Sequence, residues 1–138
     1  MDARRVTEEL SVSPQISAAD VPAIAAAGYR SIICNRPDGE GPGQPPFEEI
    51  EAAAKASGVE IRYQPVISGQ MQSADVEAFG ALMASLPKPV FVYCRSGTRS
   101  VTLWAFSEGG KRPLPEILEK AGAAGYDLSG VAPLISKS

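Results

Sequence analysis

The sequence contains no histidine. That excludes every mechanism built on a histidine general base, and most zinc sites with them. It contains two cysteines, Cys34 and Cys94. Two are too few for a disulfide framework, so a catalytic or redox thiol comes into view. No segment approaches the ~18 apolar residues that span a membrane. The opening Met1-Asp2-Ala3-Arg4-Arg5 has charges but no apolar stretch behind them, unlike a signal peptide. Basic excess is missing too: 13 Lys and Arg face 16 Asp and Glu, a net charge of −3. A nucleic-acid binder would need a clustered basic face. What is present is ordinary globular composition, 44% hydrophobic and 21% charged over 138 residues. This is expected to form a single domain over residues 1–138. The default expectation is a cytoplasmic protein with reduced thiols, needing no cofactor or metal and binding neither nucleic acid nor membrane.

Glycine and proline divide the chain into short alternating units. Leu10-Ser11-Val12 predicts a first strand, and a helix opened by Ser17 or Asp20 runs through Ala27 to a stop at Gly28. Tyr29–Asn35 is a second strand. Residues 37–46 hold four prolines and three glycines and predict a loop. The next helix opens near Pro46, turns Phe47, Ile50 and Ala54 inward, and ends at Gly58. Val59–Pro65 is a third strand. Ser73 caps a helix whose Val76, Phe79, Met83 and Leu86 share a face. Val90–Tyr93 is continuously apolar, as a strand buried on both faces should be. A helix from Thr98 to Glu108 follows, carrying Trp104 and Phe106 as core residues, and helical pieces are expected at 114–124 and 128–136. The alternation argues an α/β fold, with a mostly parallel central sheet of four to five strands flanked by helices.

The segment Tyr93-Cys94-Arg95-Ser96-Gly97-Thr98-Arg99-Ser100 lies between the buried strand and a helix. Ligands of open α/β sheets bind beyond the carboxyl ends of the strands, where Cys94 falls. Ser96, Gly97 and Thr98 are small enough for the backbone to curl with its N–H groups inward, and the helix start adds partial positive charge. Arg95 and Arg99 add fixed cations. Helix N-termini and neighbouring cations favour a thiolate. The pattern therefore predicts a cysteine nucleophile in an anion cradle, with Cys94 and Arg99 catalytic and Arg95, Ser96, Gly97, Thr98 and Ser100 forming the anion loop. Ser100 is expected to hydrogen-bond the thiolate or cap the helix. The competing reading is a buried structural cysteine beside solvated arginines.

Cys94–Ser100 is similar to the active-site loop of single-domain rhodaneses, where the cysteine carries a persulfide. The layout of the whole chain resembles dual-specificity cysteine phosphatases: Tyr29–Arg36 resembles that fold's second strand, and Ile61–Arg99 its strand, loop, helix, strand and anion loop. The segments Gly28–Glu40, Pro65–Gln70 and Tyr93–Ser100 together resemble a bacterial phosphatase-like domain family. That family is named after a beta-lactamase-hydrolase-like protein and is also labelled a sulfur transferase family. The resemblance implies a three-layer cysteine-phosphatase-like fold. It also implies a link to sulfide metabolism, because members of the family occur alone or fused to sulfide-metabolism enzymes, and a sulfide-oxidising enzyme is the expected partner.

Two chemistries follow from that resemblance. Phosphatases of this fold place the arginine after Cys and five residues; here four residues separate Cys94 from Arg99. They also carry an aspartic acid on the loop after the third strand and a histidine before the cysteine. Here Pro65–Gln72 has no acid, and Tyr93 precedes Cys94. A shorter loop suits a persulfide, and sulfur transfer needs no proton donor to an alkoxide. The expected function is rhodanese-like sulfur transfer through a Cys94 persulfide, from thiosulfate or a low-molecular-weight persulfide. The alternatives are a phosphatase acting through phosphocysteine and a non-catalytic anion- or persulfide-sensing domain. Accessory residues remain open. Cys34 is either a resolving thiol or a small core residue. Arg36 and Asp38 either contact a substrate anion, or orient Arg99, or form a surface pair. Gln70 either presents its amide where a phosphatase has its acid or belongs to a turn. The 37–46 loop is either a lid or a connection.

Overall fold

Val90–Tyr93 (β5) lies at the centre of a five-stranded sheet in the computed structural model, which describes residues 1–135. β2 (Leu10–Ser13) and β3 (Ser31–Cys34) pair with it in parallel on either side. β4 (Glu60–Tyr63) continues the sheet beyond β3, and β1 (Arg4–Thr7) closes the other edge antiparallel to β2. The spatial order is β1-β2-β5-β3-β4.

The side chains of β5 alternate between two cores, as a period of two requires. Val90 and Val92 pack with Val12, Ile33, Phe79, Val101 and Ile117. That face is covered by α3 (Ser73–Ser85), α4 (Thr98–Ser107), α5 (Leu114–Ala123) and α6 (Ala132–Ile135). Phe91 and Tyr93 pack with Ile32, Cys34, Ile50 and Ile61 under α1 (Val21–Ala26) and α2 (Phe47–Ala56). Every residue of β5 is buried, which is why its sequence is an unbroken apolar run rather than an alternating one.

The main departure from the sequence reading is β1. Only Val6 of its four residues is buried, so no hydrophobic period announces it. The expected first strand, Leu10–Val12, is the second, and it extends to Ser13. The first helix divides into a 3-10 turn at Ala18–Asp20 and α1. There Asp20 Oδ2 accepts the Ser17 N–H at 2.9 Å. Ser73 is the first residue of α3 and not its cap. Gln72 holds the cap position, and its N–H donates to Asp75 Oδ2 at 2.8 Å. The helical piece expected at 128–136 is a 3-10 turn, Ser129–Val131, followed by α6, and residue 136 lies outside the described residues. Trp104 is buried, and Phe106 packs half-buried against the same core.

Because β2, β3 and β5 run parallel, their carboxyl ends lie together. Ser13, Cys34 and Tyr93 are in register across the three strands, so the segments that follow them meet at one edge. Phe91→Ala should lower unfolding free energy by about 3–5 kcal/mol, read as a shifted urea midpoint at unchanged m-value.

Candidate active site

The chain leaves β5 at Tyr93 and enters α4 at Thr98, so four residues make the turn. Cys94 is fully buried at its start. Its N–H donates to the Ser13 carbonyl at 3.3 Å, and the Arg95 carbonyl accepts the Gln15 N–H at 3.2 Å. The β2 extension thus holds one side of the loop. On the inner side the Gly97 N–H donates to Cys94 Sγ at 3.1 Å. Gly97 has φ +94°, a conformation that L side chains rarely adopt. A Cβ there would also strike the Tyr126 ring and hydroxyl. The Tyr126 hydroxyl donates to the Ser96 carbonyl at 2.8 Å, bracing the loop from the C-terminal segment. Ser96 Oγ donates to Thr98 Oγ1 at 3.0 Å. The sulfur therefore sits at the start of a ten-residue helix with a backbone donor already on it.

Arg99 turns back toward this loop. Its Nη1 and Nη2 donate to Glu40 Oε2 and Oε1 at 2.7 and 2.8 Å, and Nη1 also donates to the Val66 carbonyl at 2.9 Å. The hydrogen bond to Glu40, with a smaller contribution from the Cys94 sulfur, raises the Arg99 pKa above its ordinary value. Arg36, whose side chain is only 7% exposed, donates Nε to Glu40 Oε1 at 3.0 Å and Nη1 to Gln15 Oε1 at 3.1 Å. The hydrogen bond from Arg99, aided by Arg36, holds the Glu40 carboxyl below its usual range despite partial burial. A cleft of about 360 Å³ opens here, lined by Glu40, Ser68, Arg95, Ser96, Thr98 and Arg99. A larger groove of about 570 Å³ lies at the opposite end of the sheet, against Leu10 and Lys88, and contains no cysteine.

The structure thus brings together Cys94, the loop residues Arg95 to Thr98, Arg99 and, through Glu40, Arg36. Ser100, expected in the anion loop, and the remaining accessory candidates lie elsewhere. Ser100 is buried, and its hydroxyl donates to Asn35 Oδ1 at 2.9 Å instead of reaching the sulfur. Asp38 is exposed, and its Oδ1 accepts the Phe47 N–H at 2.9 Å, at the start of α2. Gln70 is exposed and closes a turn with the Ile67 carbonyl, with Gly69 at φ +80°; Ser68 is the residue of that turn that lines the cleft. Cys34 shares the α1/α2 core with Tyr93, and its Sγ donates to the Arg36 carbonyl at 3.3 Å. Burial pushes its thiol up to about 11, so at neutral pH it stays a protonated core residue. The 37–46 loop is braced across itself by Gln44, which accepts the Glu40 N–H and donates to the Pro37 carbonyl, both at 2.9 Å.

Sequence reasoning missed the supports. Glu40 is one acid in a proline-glycine loop, and nothing local says that it spans to Arg99. Gln15, Asn35 and Tyr126 reach the site only through the tertiary fold. Among the described residues no group of three His, Cys, Asp or Glu side chains is placed to hold a metal. None of the described helices is long and apolar enough to cross a membrane.

A buried cysteine at the carboxyl end of a central parallel strand, looped onto a helix start with an arginine behind it, defines the cysteine-phosphatase-like class of α/β enzymes. Within it, the chain belongs to the family described as beta-lactamase hydrolase-like protein, phosphatase-like domain, whose model matches residues 2–111. It is 38% identical over 130 residues to the beta-lactamase hydrolase-like protein of Agrobacterium fabrum, covering 93% of this chain and 30% of that protein. The Xylella fastidiosa protein of the same name is 38% identical over 125 residues, 89% of this chain and 29% of that protein. The chain therefore spans about 30% of the length of these relatives. A crystal structure described as a candidate phosphatase from Neisseria meningitidis superposes with a TM-score of 0.90 at 38% identity, covering 99% of this chain and 98% of that one. The core catalytic domain of the PP-IP phosphatase Siw14 from S. cerevisiae shares the fold, with a TM-score of 0.73 at 15% identity, over 99% of this chain and 84% of that one.

Two predictions follow from this geometry. Gly28 and Gly97 both have positive φ, but a Cβ at Gly28 meets nothing within 4 Å. Gly28→Ala should cost about 1–2 kcal/mol in chemical denaturation and leave Cys94 alkylation unchanged, whereas Gly97→Ala should also displace Tyr126 and slow alkylation about tenfold or more. The second concerns Cys34. Its folded state holds the proton more tightly than the unfolded chain, so this stabilisation is complete below about pH 9 and is lost as pH rises toward 11. Wild type should lose about 2–3 kcal/mol more than Cys34→Ala between those pH values, measured by urea denaturation.

Proposed function

We propose that the protein is a cysteine-dependent sulfurtransferase that carries sulfane sulfur as a persulfide on Cys94. One observation carries this reading within the phosphatase-like class: among the described residues, no carboxylic acid at the cleft is free to act as a proton donor. Phosphoryl transfer through cysteine leaves an alkoxide that a general acid must protonate. Among the described residues the one carboxyl lining the cleft is Glu40, and two arginines hold it as an anion. Asp75 accepts the Gln72 N–H at the start of α3, and Asp38 the Phe47 N–H at the start of α2.

Sulfur transfer needs only what the loop supplies. The Cys94 thiolate attacks the outer sulfur of the donor, and the donor's S–S bond breaks. The leaving group departs with that electron pair, as sulfite from thiosulfate or as a thiolate from an organic persulfide. The new Cys94–S–S⁻ anion is a poor fit for apolar surroundings and a good one for a helix start with inward N–H groups. An acceptor such as cyanide or a thiolate then attacks the outer sulfur and restores the Cys94 thiolate. The spacing of four residues between Cys94 and Arg99 makes a tight loop that accommodates this small group. A low-molecular-weight sulfur compound is the proposed substrate, and a sulfide-oxidising enzyme the proposed partner.

The second reading is a phosphatase acting through phosphocysteine, favoured by the likeness to a structure described as a candidate phosphatase at 38% identity. The two separate in paired assays of wild type and Cys94→Ser. Sulfur transfer from thiosulfate or glutathione persulfide to cyanide should be lost in the variant, and wild-type hydrolysis of p-nitrophenyl phosphate should be negligible. Cys94-dependent phosphate release without sulfur transfer would establish the second reading instead.

A further inference from the structure

Glu40 occupies Arg99 in the manner of a bound anion. Both terminal nitrogens of the guanidinium are taken, at 2.7 and 2.8 Å, by the two carboxylate oxygens. This is the bidentate arrangement by which arginine grips a phosphate or carboxylate ligand. The carboxylate is also built in. Gln44 holds the Glu40 N–H, Arg36 holds Oε1 from below, and Arg36 is fixed in turn by Gln15. A Cβ at Gly41 would stand 3.2 Å from Arg36 Nη2, so the glycine beside Glu40 gives the guanidinium room to pack there. Glu40 is set against three arginines, Arg36, Arg99 and Arg95, and cancels the charge of one; of the two that line the cleft, it holds Arg99 and leaves the other. That other is Arg95, which is exposed and has no ion-pair partner within 4 Å among the described residues.

We propose that Glu40 is a charge filter that sets the donor class: the cleft takes an organic hydropersulfide, which brings at most one negative charge to the reacting sulfur, in preference to a tetrahedral dianion. This rests on the sulfurtransferase reading above. With a hydropersulfide R–S–SH, the Cys94 thiolate attacks the terminal sulfur, the S–S bond of the donor breaks, and R–S⁻ leaves with the electron pair. The proton stays on the transferred sulfur as Cys94–S–SH, and no external oxidant or reductant is needed. Thiosulfate must instead bring a dianion past the Glu40 carboxylate and release one there, and like charges repel.

The test compares wild type with Glu40→Gln, which keeps the shape and removes the charge. One readout is the ratio of kcat/KM for thiosulfate to that for glutathione persulfide in Cys94-dependent transfer to cyanide. The other is the sodium sulfate concentration that protects Cys94 from iodoacetamide. Wild type should favour glutathione persulfide. Glu40→Gln should raise the thiosulfate-to-persulfide ratio about tenfold and give protection at about tenfold lower sulfate. If the buried Arg36 charge prevents that variant from folding, the double variant Arg36→Met, Glu40→Gln removes the carboxylate together with its buried partner and still frees the Arg99 fork; both measures should then move in the same direction by less than about tenfold, because a cation is lost with the carboxylate. Sulfur transfer with both measures unchanged would overturn the filter and leave the sulfurtransferase standing. A shifted sulfate protection with no sulfur transfer from either donor in wild type would do the reverse, leaving an anion filter on an enzyme of another chemistry.

Discussion

The chain must pass from β5, buried on both faces, into α4 within the four residues Cys94 to Gly97, and the rest of the site depends on how tightly that turn is made. A strand without an exposed face cannot drift, so Cys94 is set in place by the hydrophobic cores beneath it. A turn this short needs a residue with positive φ, and Gly97 supplies it. The same conformation brings the Gly97 N–H onto the sulfur and leaves a space that the Tyr126 hydroxyl fills. Local backbone geometry, core packing and the polar environment of the nucleophile are thus one constraint seen at three scales.

In the proposed sulfurtransferase the charges around that turn serve a small sulfur anion. Arg99 leans on the loop from α4, but its fork is shared with Glu40, so the cleft is less positive than its two arginines suggest. A cysteine phosphatase needs the opposite balance: a free cationic fork for the phosphoryl oxygens and a neutral acid for the leaving group. On the proposed sulfurtransferase reading, the architecture and the chemistry of the cleft point in different directions. Function in such cases is argued from the site rather than from the fold.

The parts legible in the sequence were those with a strong local signature. The apolar run of β5, the Cys94–Arg99 loop and the glycine stops after α1 and α2 each follow from one stretch of chain. The antiparallel edge strand β1 was not legible, because its four residues bury only Val6. Glu40, Asn35, Gln15 and Tyr126 were not legible for a different reason. Their roles are made by contacts between segments distant in sequence, such as Ser100 with Asn35 and Arg99 with Glu40. Ser100 shows the limit from the other side: its residue type and spacing suggested a partner for the sulfur, yet register across the sheet gives its hydroxyl to Asn35. Cys34 could be read either as a reactive or as a core thiol until the pleat placed it with Tyr93 in the α1/α2 layer.

The central claim is that Cys94 carries sulfur, and mass spectrometry tests it most directly. The purified, reduced protein would be incubated with a sulfane-sulfur donor, blocked with an alkylating agent, and digested for analysis of the peptide containing Cys94. The account predicts that this peptide gains the mass of one sulfur atom under the alkyl group, while the Cys34 peptide does not. A Cys94 peptide that never gains sulfur, but is trapped as phosphocysteine when the protein is given a phosphate ester, would contradict it.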